Sequence, residues 1–287
     1  MKKIKIYIFS LFVASFITGS TVIKWGFFAH ELINQHAVYT LPKELNQFYN
    51  NNMNKLIAYA TLPDKRRYAV DYEGPRHFLD MDELPDSLIR YSIQPKDTSL
   101  LDTLEKTGIL PWYLQNIYYQ LRNAFMQKDK TKIIRLSAEL GHYLADAHVP
   151  LHTTSNYNGQ KTNQKGIHGL WESRLPELFH KKYVLITGRA TYVENTQEYF
   201  WDIIEKSNTY TQKVLDLEKL ISEKHYTTKY SYEQRGRTQI RVYSQEFCSE
   251  YHDALDGMVE KQLKSSIKAI GDIWYTCWVN AGQPVLE

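Results

Sequence analysis

Residues 138–152, AELGHYLADAHVPLH, place three histidines and an aspartate in a stretch that otherwise has the pattern of an amphipathic helix. Buried imidazoles and carboxylates are costly unless a partner satisfies them. His142 and Asp146 are four residues apart, so they project from one face of that helix and could hold a zinc ion together. His152 follows just beyond the helix end. His148 points to a different side, which predicts a surface position or a supporting role behind the ligands.

A second pair with the same spacing, His168 and Glu172, lies in GIHGLWESRLPEL. Either pair alone could be a solvated or core hydrogen bond, and Glu172 alone could form a surface ion pair with Arg174. Two pairs with the same spacing predict a metal site more strongly than either pair does alone. The loop 153–167 is long enough to fold the second helix back beside the first, which would let His152, His168 and Glu172 meet at one point.

Four residues nearer the N-terminus are uninformative alone and become candidate site residues only together with these two pairs. Asp64 follows a proline, where an aspartate is often a helix cap, and a lone histidine such as His77 is more often structural. Trp25 and His30 belong to the stretch WGFFAH, and taken alone they are a core anchor and a helical histidine.

Most of the remaining chain repeats apolar residues at three- and four-residue spacing, the pattern of amphipathic helices. The segments with this pattern are 27–41, 99–127, 131–149, 198–222 and 244–280. Prolines mark the expected helix ends: Pro63, Pro75, Pro85, Pro95, Pro150 and Pro176. No convincing strand pattern appears, and the polar stretches 64–76 and 153–167 predict loops. The sequence therefore predicts one all-α, multi-helix domain over residues 21–287.

The first twenty residues, MKKIKIYIFSLFVASFITGS, have the anatomy of a secretory signal, with a basic start, an apolar run and small residues at the end. The apolar run is too short for a comfortable membrane span. We therefore predict a signal peptide over residues 1–20, with cleavage that could extend to residue 24. The mature protein would be periplasmic or secreted, without a transmembrane anchor after processing. An uncleaved anchor is the alternative.

The net charge of the mature chain argues against one class of protein. The formal charge is +3, and removal of residues 1–20 takes away three lysines and no acidic residue, which leaves zero. A near-neutral mature chain is not a polybasic nucleic-acid binder.

The two cysteines are predicted to be unpaired. Cys248 and Cys277 would lie about 43 Å apart on one continuous helix, too far to bridge. A disulfide would need a break at Gly257 or Gly271, and we predict two unpaired thiols.

Taken in order, these motifs resemble those of one superfamily. W-G-x-x-x-H at 25–30, the aspartate at 64, R-H-F-x-D at 76–80, H-Y-x-x-D-x-H-x-P-x-H at 142–152 and H-x-x-x-E at 168–172 are similar to the motifs of the zinc-dependent phospholipase C and single-strand-specific nuclease superfamily. The resemblance covers roughly residues 25–180. It implies an all-α fold with three zinc ions at the base of a cleft.

The resemblance also implies which residues bind each zinc ion. The first would be held by Asp64, His77, His142 and Asp146, the second by His152, His168 and Glu172, and the third by His30, Asp146 and the backbone amine and carbonyl of Trp25. The third set requires Trp25 to be the first residue of the mature chain. Cleavage after Ser20 would leave four residues in front of it, and only two zinc ions would then be expected.

The implied activity is hydrolysis of a phosphodiester. Clustered zinc ions lower the pKa of a bound water, present it as hydroxide and screen the charge of the diester. Asp64 is the catalytic residue, since the resemblance suggests that it both holds a metal and orients the attacking water. The sequence contains no G-x-S-x-G motif and no P-loop, so serine chemistry and nucleotide-driven transfer lack support.

The resemblance implies that the substrate is a phospholipid or a single-stranded nucleic acid. The five-residue step from Trp25 to His30 is more like the nucleases, whereas Glu172 and the short interval from His152 to His168 are more like the phospholipases. We predict a secreted, phospholipase C-like enzyme without an obligate protein partner. The alternatives are a nuclease of the same superfamily and a non-catalytic binding module in which zinc serves folding only.

Overall fold

The computed structural model describes residues 25–84, Leu104 and residues 106–286. The predicted signal peptide lies outside the described residues. So do the first part of the helix predicted over 99–127 and the helix ends predicted at Pro85 and Pro95.

The N-terminal half of the described chain is helical. Its elements are α1 (Trp25–Val38), α2 (Lys43–Asn51), α3 (Met53–Tyr59), α4 (Leu62–Arg66), a 3₁₀ segment (Asp71–His77), α5 (Leu110–Met126) and α6 (Lys130–Asp146). The C-terminal half adds a 3₁₀ turn (Pro150–Thr153), α7 (Ile167–Gly169), a π-helical turn (Leu170–Arg174), α8 (Leu175–Phe179), a 3₁₀ turn (His180–Lys182), α9 (Thr196–Asn208), α10 (Thr211–Lys224), β1 (Tyr230–Arg235), β2 (Thr238–Tyr243), α11 (Gln245–Ala254) and α12 (Met258–Asn280). None of the helices among the described residues, in either half, is long and apolar enough to cross a membrane.

Helix α6 lies at the centre of the fold. It packs against α1, α3, α5 and α12, and every residue from Leu136 to Asp146 is buried. Asp129 caps its first turn by accepting a hydrogen bond from the Lys132 amide at 3.0 Å. Because the C-terminal half of α6 lies inside the core, His142 and Asp146 are shielded from bulk water.

Gly141 lets α1 approach α6 closely. A Cβ at this position would overlap the Asn34 side chain, whose Nδ2 donates to the carbonyl of His30 at 2.9 Å. The close approach places the ring of His30 against that of His142, with centroids 3.9 Å apart. The spacing of these two helices therefore decides whether two of the candidate ligands meet.

The helical architecture confirms the predicted all-α fold, although several bounds differ from the prediction. Residues 198–222 divide into α9 and α10, and residues 244–280 divide into α11 and α12 at Gly257, which has φ 69°. Gly108, with φ 92°, separates α5 from the residues before it. The polar stretch 64–76, which we predicted as a loop, contains the end of α4 and most of the first 3₁₀ segment.

The sequence analysis missed a β-hairpin, as well as the helices α2 and α3, which lie outside its predicted segments. Strands β1 and β2 pair antiparallel, with Tyr230 opposite Tyr243. They are joined by Gly236 and Arg237, and Gly236 has φ 59°. Tight hairpin turns need positive φ, which glycine adopts readily. Alternating tyrosine, isoleucine and valine on either side of that glycine are the signals that could have predicted the hairpin.

The two cysteines are not cross-linked. Cys248 and Cys277 are both buried and free, which confirms the prediction of two unpaired thiols. Cys248 Sγ lies 3.9 Å from the carbonyl of Tyr243, whereas Cys277 Sγ lies 3.7 Å from the carbonyl of Tyr118. The break at Gly257 that a disulfide would need is present, but the thiols face different parts of the core.

Candidate metal centre

The side chains predicted as metal ligands converge in the folded chain. Their nitrogen and oxygen atoms form three groups, and within each group the atoms lie within 4.8 Å of one another: His30, His142 and Asp146; Asp64, His77 and His142; His152, His168 and Glu172. Trp25 begins α1. A Cβ on the next residue, Gly26, would lie 3.3 Å from Glu172 Oε1, so the first turn of α1 approaches the same centre.

Asp146 lies between these groups. Its Oδ1 is 3.4 Å from His30 Nε2 and 3.9 Å from His152 Nε2. Its Oδ2 is 2.9 Å from His77 Nδ1 and 3.4 Å from His142 Nε2. The two oxygens of one buried carboxylate thus face different pairs of imidazoles, which is the arrangement of a bridging ligand.

Glu172 has a similar position on the other side of the centre. Its Oε1 is 3.5 Å from His30 Nε2, and its Oε2 is 2.7 Å from His168 Nε2 and 3.5 Å from His152 Nε2. It lies in the π-helical turn Leu170–Arg174. Pro176 has no N–H to donate to the carbonyl of Glu172, which favours a wider turn at this point.

The surface ion pair considered for Glu172 is absent from the described structure. Arg174 is buried and donates instead to Glu233 of the hairpin, at 3.2 Å from Nη1 to Oε2, and to the carbonyl of Tyr243 at 3.3 Å. The alternative in which Glu172 pairs with Arg174 is therefore wrong. The carboxylate of Glu172 remains directed toward the histidines.

Three of the imidazoles are held by backbone carbonyls on their outer side. The Nδ1–H of His142 donates to the carbonyl of Ala60 at 2.9 Å, and that of His152 donates to the carbonyl of His77 at 2.6 Å. His168 Nδ1 lies 3.2 Å from the carbonyl of Tyr157. A carbonyl only accepts hydrogen bonds, so Nδ1 carries the proton and Nε2 presents a lone pair to the centre.

The electrostatics of the centre favour a bound cation. Burial lowers the pKa of His142 well below its usual range and that of His77 to about 4, so both rings are neutral, the form that binds metals. Burial raises the pKa of Asp146 well above its usual range, and the charges of Glu172 and Asp64 add to this effect. These carboxylates cannot all remain ionised together without positive charge between them.

The donor set also fits zinc by chemical type. His152 Nε2 is buried and has no hydrogen-bond partner among the described residues, although it points toward Asp146 and Glu172. Imidazole nitrogens and carboxylate oxygens are ordinary zinc ligands, and each group offers three of them. Three protein ligands leave room for further ligands, as catalytic zinc sites do.

Comparison with known proteins agrees with this chemistry. Residues 29–251 match the family model described as zinc-dependent phospholipase C. The chain belongs to this family. Membership confirms the resemblance found in the motifs. A search of curated proteins finds no match.

Solved structures show the same fold. The alpha-toxin of Clostridium perfringens, isolated from avian strain SWCP, is similar with a TM-score of 0.52 and 17% identity, over 91% of this chain and 65% of the toxin. The alpha-toxin of Clostridium absonum is similar with a TM-score of 0.53 and 14% identity, over 88% of this chain and 64% of the toxin. The chain therefore spans slightly less than two thirds of either toxin.

In this member of the family the centre is accessible from the side of Asp64 and His168, whose side chains are 22% and 25% exposed. We call the residues on this side the site mouth: Asp64, Arg67, Tyr157 and His168. Arg67 Nη1 lies 4.0 Å from Asp64 Oδ1, and the Tyr157 ring centroid lies 6.2 Å from that of His168. Sequence reasoning missed Arg67 and Tyr157. The available signal for Arg67 was the basic run KRR, which directly follows Asp64.

His148 is the histidine of the opening motif that stays outside the donor groups. It is buried, and its Nδ1–H donates to the carbonyl of Leu144 at 2.7 Å. The side-chain Nε2 of Gln262, in α12, donates to the backbone carbonyl of His148 at 2.6 Å. Of the two positions predicted for His148, the surface one is therefore wrong, because α12 covers this side of α6.

Proposed function

We propose that this chain is a zinc-dependent phospholipase C that hydrolyses the phosphodiester bond of a phospholipid. The observation that carries the proposal is the position of Asp146, whose two carboxylate oxygens face separate sets of histidines in the core. Zinc ions held by the three donor groups would lower the pKa of water and screen the negative charge of the diester. A module in which zinc only supports folding would have closed, four-ligand sites.

Asp64 is suited to the proton-transfer role within this centre. Of the three carboxylates it is the most accessible, with 22% of its side chain exposed against 1% for Asp146 and 12% for Glu172. Its Oδ1 lies 3.8 Å from His142 Nε2. It can therefore contact the donor atoms and, on its exposed side, orient a water and accept its proton.

Arg67 supplies positive charge where a substrate would enter. Its guanidinium is 47% exposed and lies 4.0 Å from Asp64 Oδ1. A phosphodiester at the site mouth would meet this cation, and a guanidinium can bind two phosphate oxygens at once. We infer that Arg67 orients the substrate phosphate.

The aromatic part of the site mouth supports a lipid substrate. Tyr157 is 52% exposed, and its ring centroid lies 6.2 Å from that of His168. Tyrosine side chains are stable at a membrane–water interface, since the ring is apolar and the hydroxyl is wet. The family assignment favours the same substrate class. Exposed tyrosines could also stack on bases, and a nuclease remains the second candidate because of the short step from Trp25 to His30.

The third zinc ion depends on processing. We infer that export removes the residues before Trp25, and that its free amine and carbonyl then join His30 and Asp146. The support for this inference is the position of Gly26, which brings the first turn of α1 next to Glu172.

Parallel assays of zinc-loaded protein test the proposed function. We expect hydrolysis of phosphatidylcholine and of the generic diester bis-p-nitrophenyl phosphate, with single-stranded DNA cut poorly. Asp64→Asn should abolish both expected activities while the protein stays folded. Efficient cutting of DNA with an inert lipid would establish the nuclease, and failure on all three substrates would reject hydrolysis altogether.

A further inference from the structure

Glu73 is a fully buried carboxylate behind the metal centre. It lies in the 3₁₀ segment that ends at His77, with 0% of its surface exposed. It accepts hydrogen bonds from the hydroxyl of Tyr143, from Arg76 at 2.7 Å and from Arg66 at 3.2 Å. Its Oε1 also lies 3.7 Å from His77 Nε2. These contacts fix the carboxylate in place.

His77 is oriented differently from the other imidazoles. His142, His152 and His168 turn Nδ1 outward to a backbone carbonyl, whereas His77 turns Nδ1 inward, 2.9 Å from Asp146 Oδ2. Its Nε2 is buried and makes no hydrogen bond within the described chain. The carboxylate of Glu73 lies on that side, with its Oε1 3.7 Å from Nε2. A carboxylate behind a metal-binding histidine fixes its tautomer and makes the ring a stronger ligand than a carbonyl does.

The contacts of Glu73 extend to the other elements that hold this donor group. Arg66 lies in α4, two residues after Asp64, and it also donates to Glu139 at 2.9 Å and to the hydroxyl of Tyr143 at 3.0 Å. Tyr143 follows His142 in α6. Asp64 lies in α4, His77 in the 3₁₀ segment and His142 in α6. Hydrogen bonds to the buried carboxylate of Glu73 thus link these three elements.

We propose that Glu73 is a positioning residue for the metal held by Asp64, His77 and His142. It keeps the proton of His77 on Nε2, so that Nδ1 faces the metal with its lone pair, and it fixes α4 and α6 around that ring. The inference rests on the zinc centre of the proposed function. The other two donor groups make no contact with Glu73 in the described structure.

The test compares Glu73→Gln with Glu139→Gln. Both variants keep side-chain size and remove one carboxylate partner of Arg66, but only the first changes the group behind His77. Zinc content is measured on folded protein, checked by circular dichroism, after dialysis against a graded series of chelator concentrations. We expect Glu73→Gln to bind one zinc about 10- to 100-fold more weakly, while the remaining zinc and the Glu139→Gln variant resemble the wild type.

A double variant separates positioning from general stability. In a His77→Ala background the first ligand is already gone, so adding Glu73→Gln should cause no further loss of zinc. If Glu73→Gln fails to fold, Tyr143→Phe removes one donor to Glu73 and should weaken the same zinc to a smaller degree. Unchanged zinc affinity in the folded variants, or an equal loss in Glu139→Gln, would overturn the proposal. Wild-type protein that binds zinc but hydrolyses no diester would reject the proposed function and leave this test intact.

Discussion

The rings of His30 and His142 stack with their centroids 3.9 Å apart, although the two residues lie on different helices. The contact exists because α1 and α6 approach each other at Gly141, where a Cβ would overlap Asn34. Two candidate ligands of one metal are therefore brought together by the absence of a side chain at the residue preceding one of them.

Gly141→Ala should push α1 away from α6. We expect a loss of about 1–3 kcal/mol in the free energy of unfolding, the usual range for overpacking in a core, and weaker binding of the zinc near His30. Urea denaturation and metal analysis measure the two effects. Gly169→Ala is the control, since a Cβ there meets nothing within 4 Å. Equal stability of the Gly141→Ala and Gly169→Ala variants would contradict the packing argument.

Asp146→Ala should remove more metal than a single ligand normally would. Because its two oxygens face different histidine pairs, we expect the loss of two zinc ions and of all phosphodiesterase activity together. Metal analysis and assays on lipid and on bis-p-nitrophenyl phosphate check this. Asp129→Ala, which removes only a helix cap at the other end of α6, should keep both properties. Full activity in Asp146→Ala would refute the metal-centre interpretation.

Tyr157→Ala should separate lipid binding from chemistry. The side chain lies at the site mouth beside His168, so we expect reduced hydrolysis of phosphatidylcholine vesicles and nearly unchanged hydrolysis of bis-p-nitrophenyl phosphate. Tyr226→Ala is the matched control, because Tyr226 is 89% exposed and lies outside the site mouth. An equal fall on both substrates would show that Tyr157 acts on the metal centre itself.

Asp80 should make stability depend on pH. Burial raises its pKa to about 7, Asp82 and Glu83 add to the rise, and Lys161 opposes it. The native state then keeps a proton that the unfolded chain loses above its usual pKa of about 4, so the free energy of unfolding falls as pH rises from about 4 to 7. Asp80→Asn should remove this fall.

Urea denaturation of zinc-loaded protein at pH 5 and pH 8 measures the effect. The difference between Asp80→Asn and wild type should grow toward pH 8, to at most about 4 kcal/mol. A variant whose stability changes with pH as the wild type does would show that Asp80 ionises normally.

The N-terminus should determine the number of zinc ions. Intact-mass analysis of exported protein is expected to show loss of at least residues 1–20, and metal analysis of the same sample gives the zinc content. A chain that begins at Trp25 should hold three zinc ions, and one that begins at Thr21 should hold two. Three tightly bound ions in a chain that begins at Thr21 would exclude a role for the amine of Trp25.

The convergence of the predicted donor side chains could be anticipated in part from the sequence, because ligand motifs are local. Helical spacing alone places His142 above Asp146, and His168 above Glu172. Residues whose role depends on distant contacts were harder to predict. Glu73 acquires its meaning from Arg66 and Tyr143, which only the folded chain brings beside it.

The hydrophobic periodicity also failed to predict the burial of His148 and the two short strands. A surface position was one of the two predicted for His148, but α12 covers this residue in the fold. The hairpin was overlooked because its two strands are short and the inward positions of β1, Ser231, Glu233 and Arg235, are polar. Glu233 is held there by Arg174.

The free thiols of Cys248 and Cys277 have a consequence for handling the protein. With only these two cysteines in the sequence, and both buried as thiols, no covalent bridge restrains the chain. Reducing agents should leave its thermal transition unchanged, whereas a chelator should lower it, since metal that binds only the folded state adds to stability. The fold would then be insensitive to the redox state of its surroundings and dependent on their zinc supply.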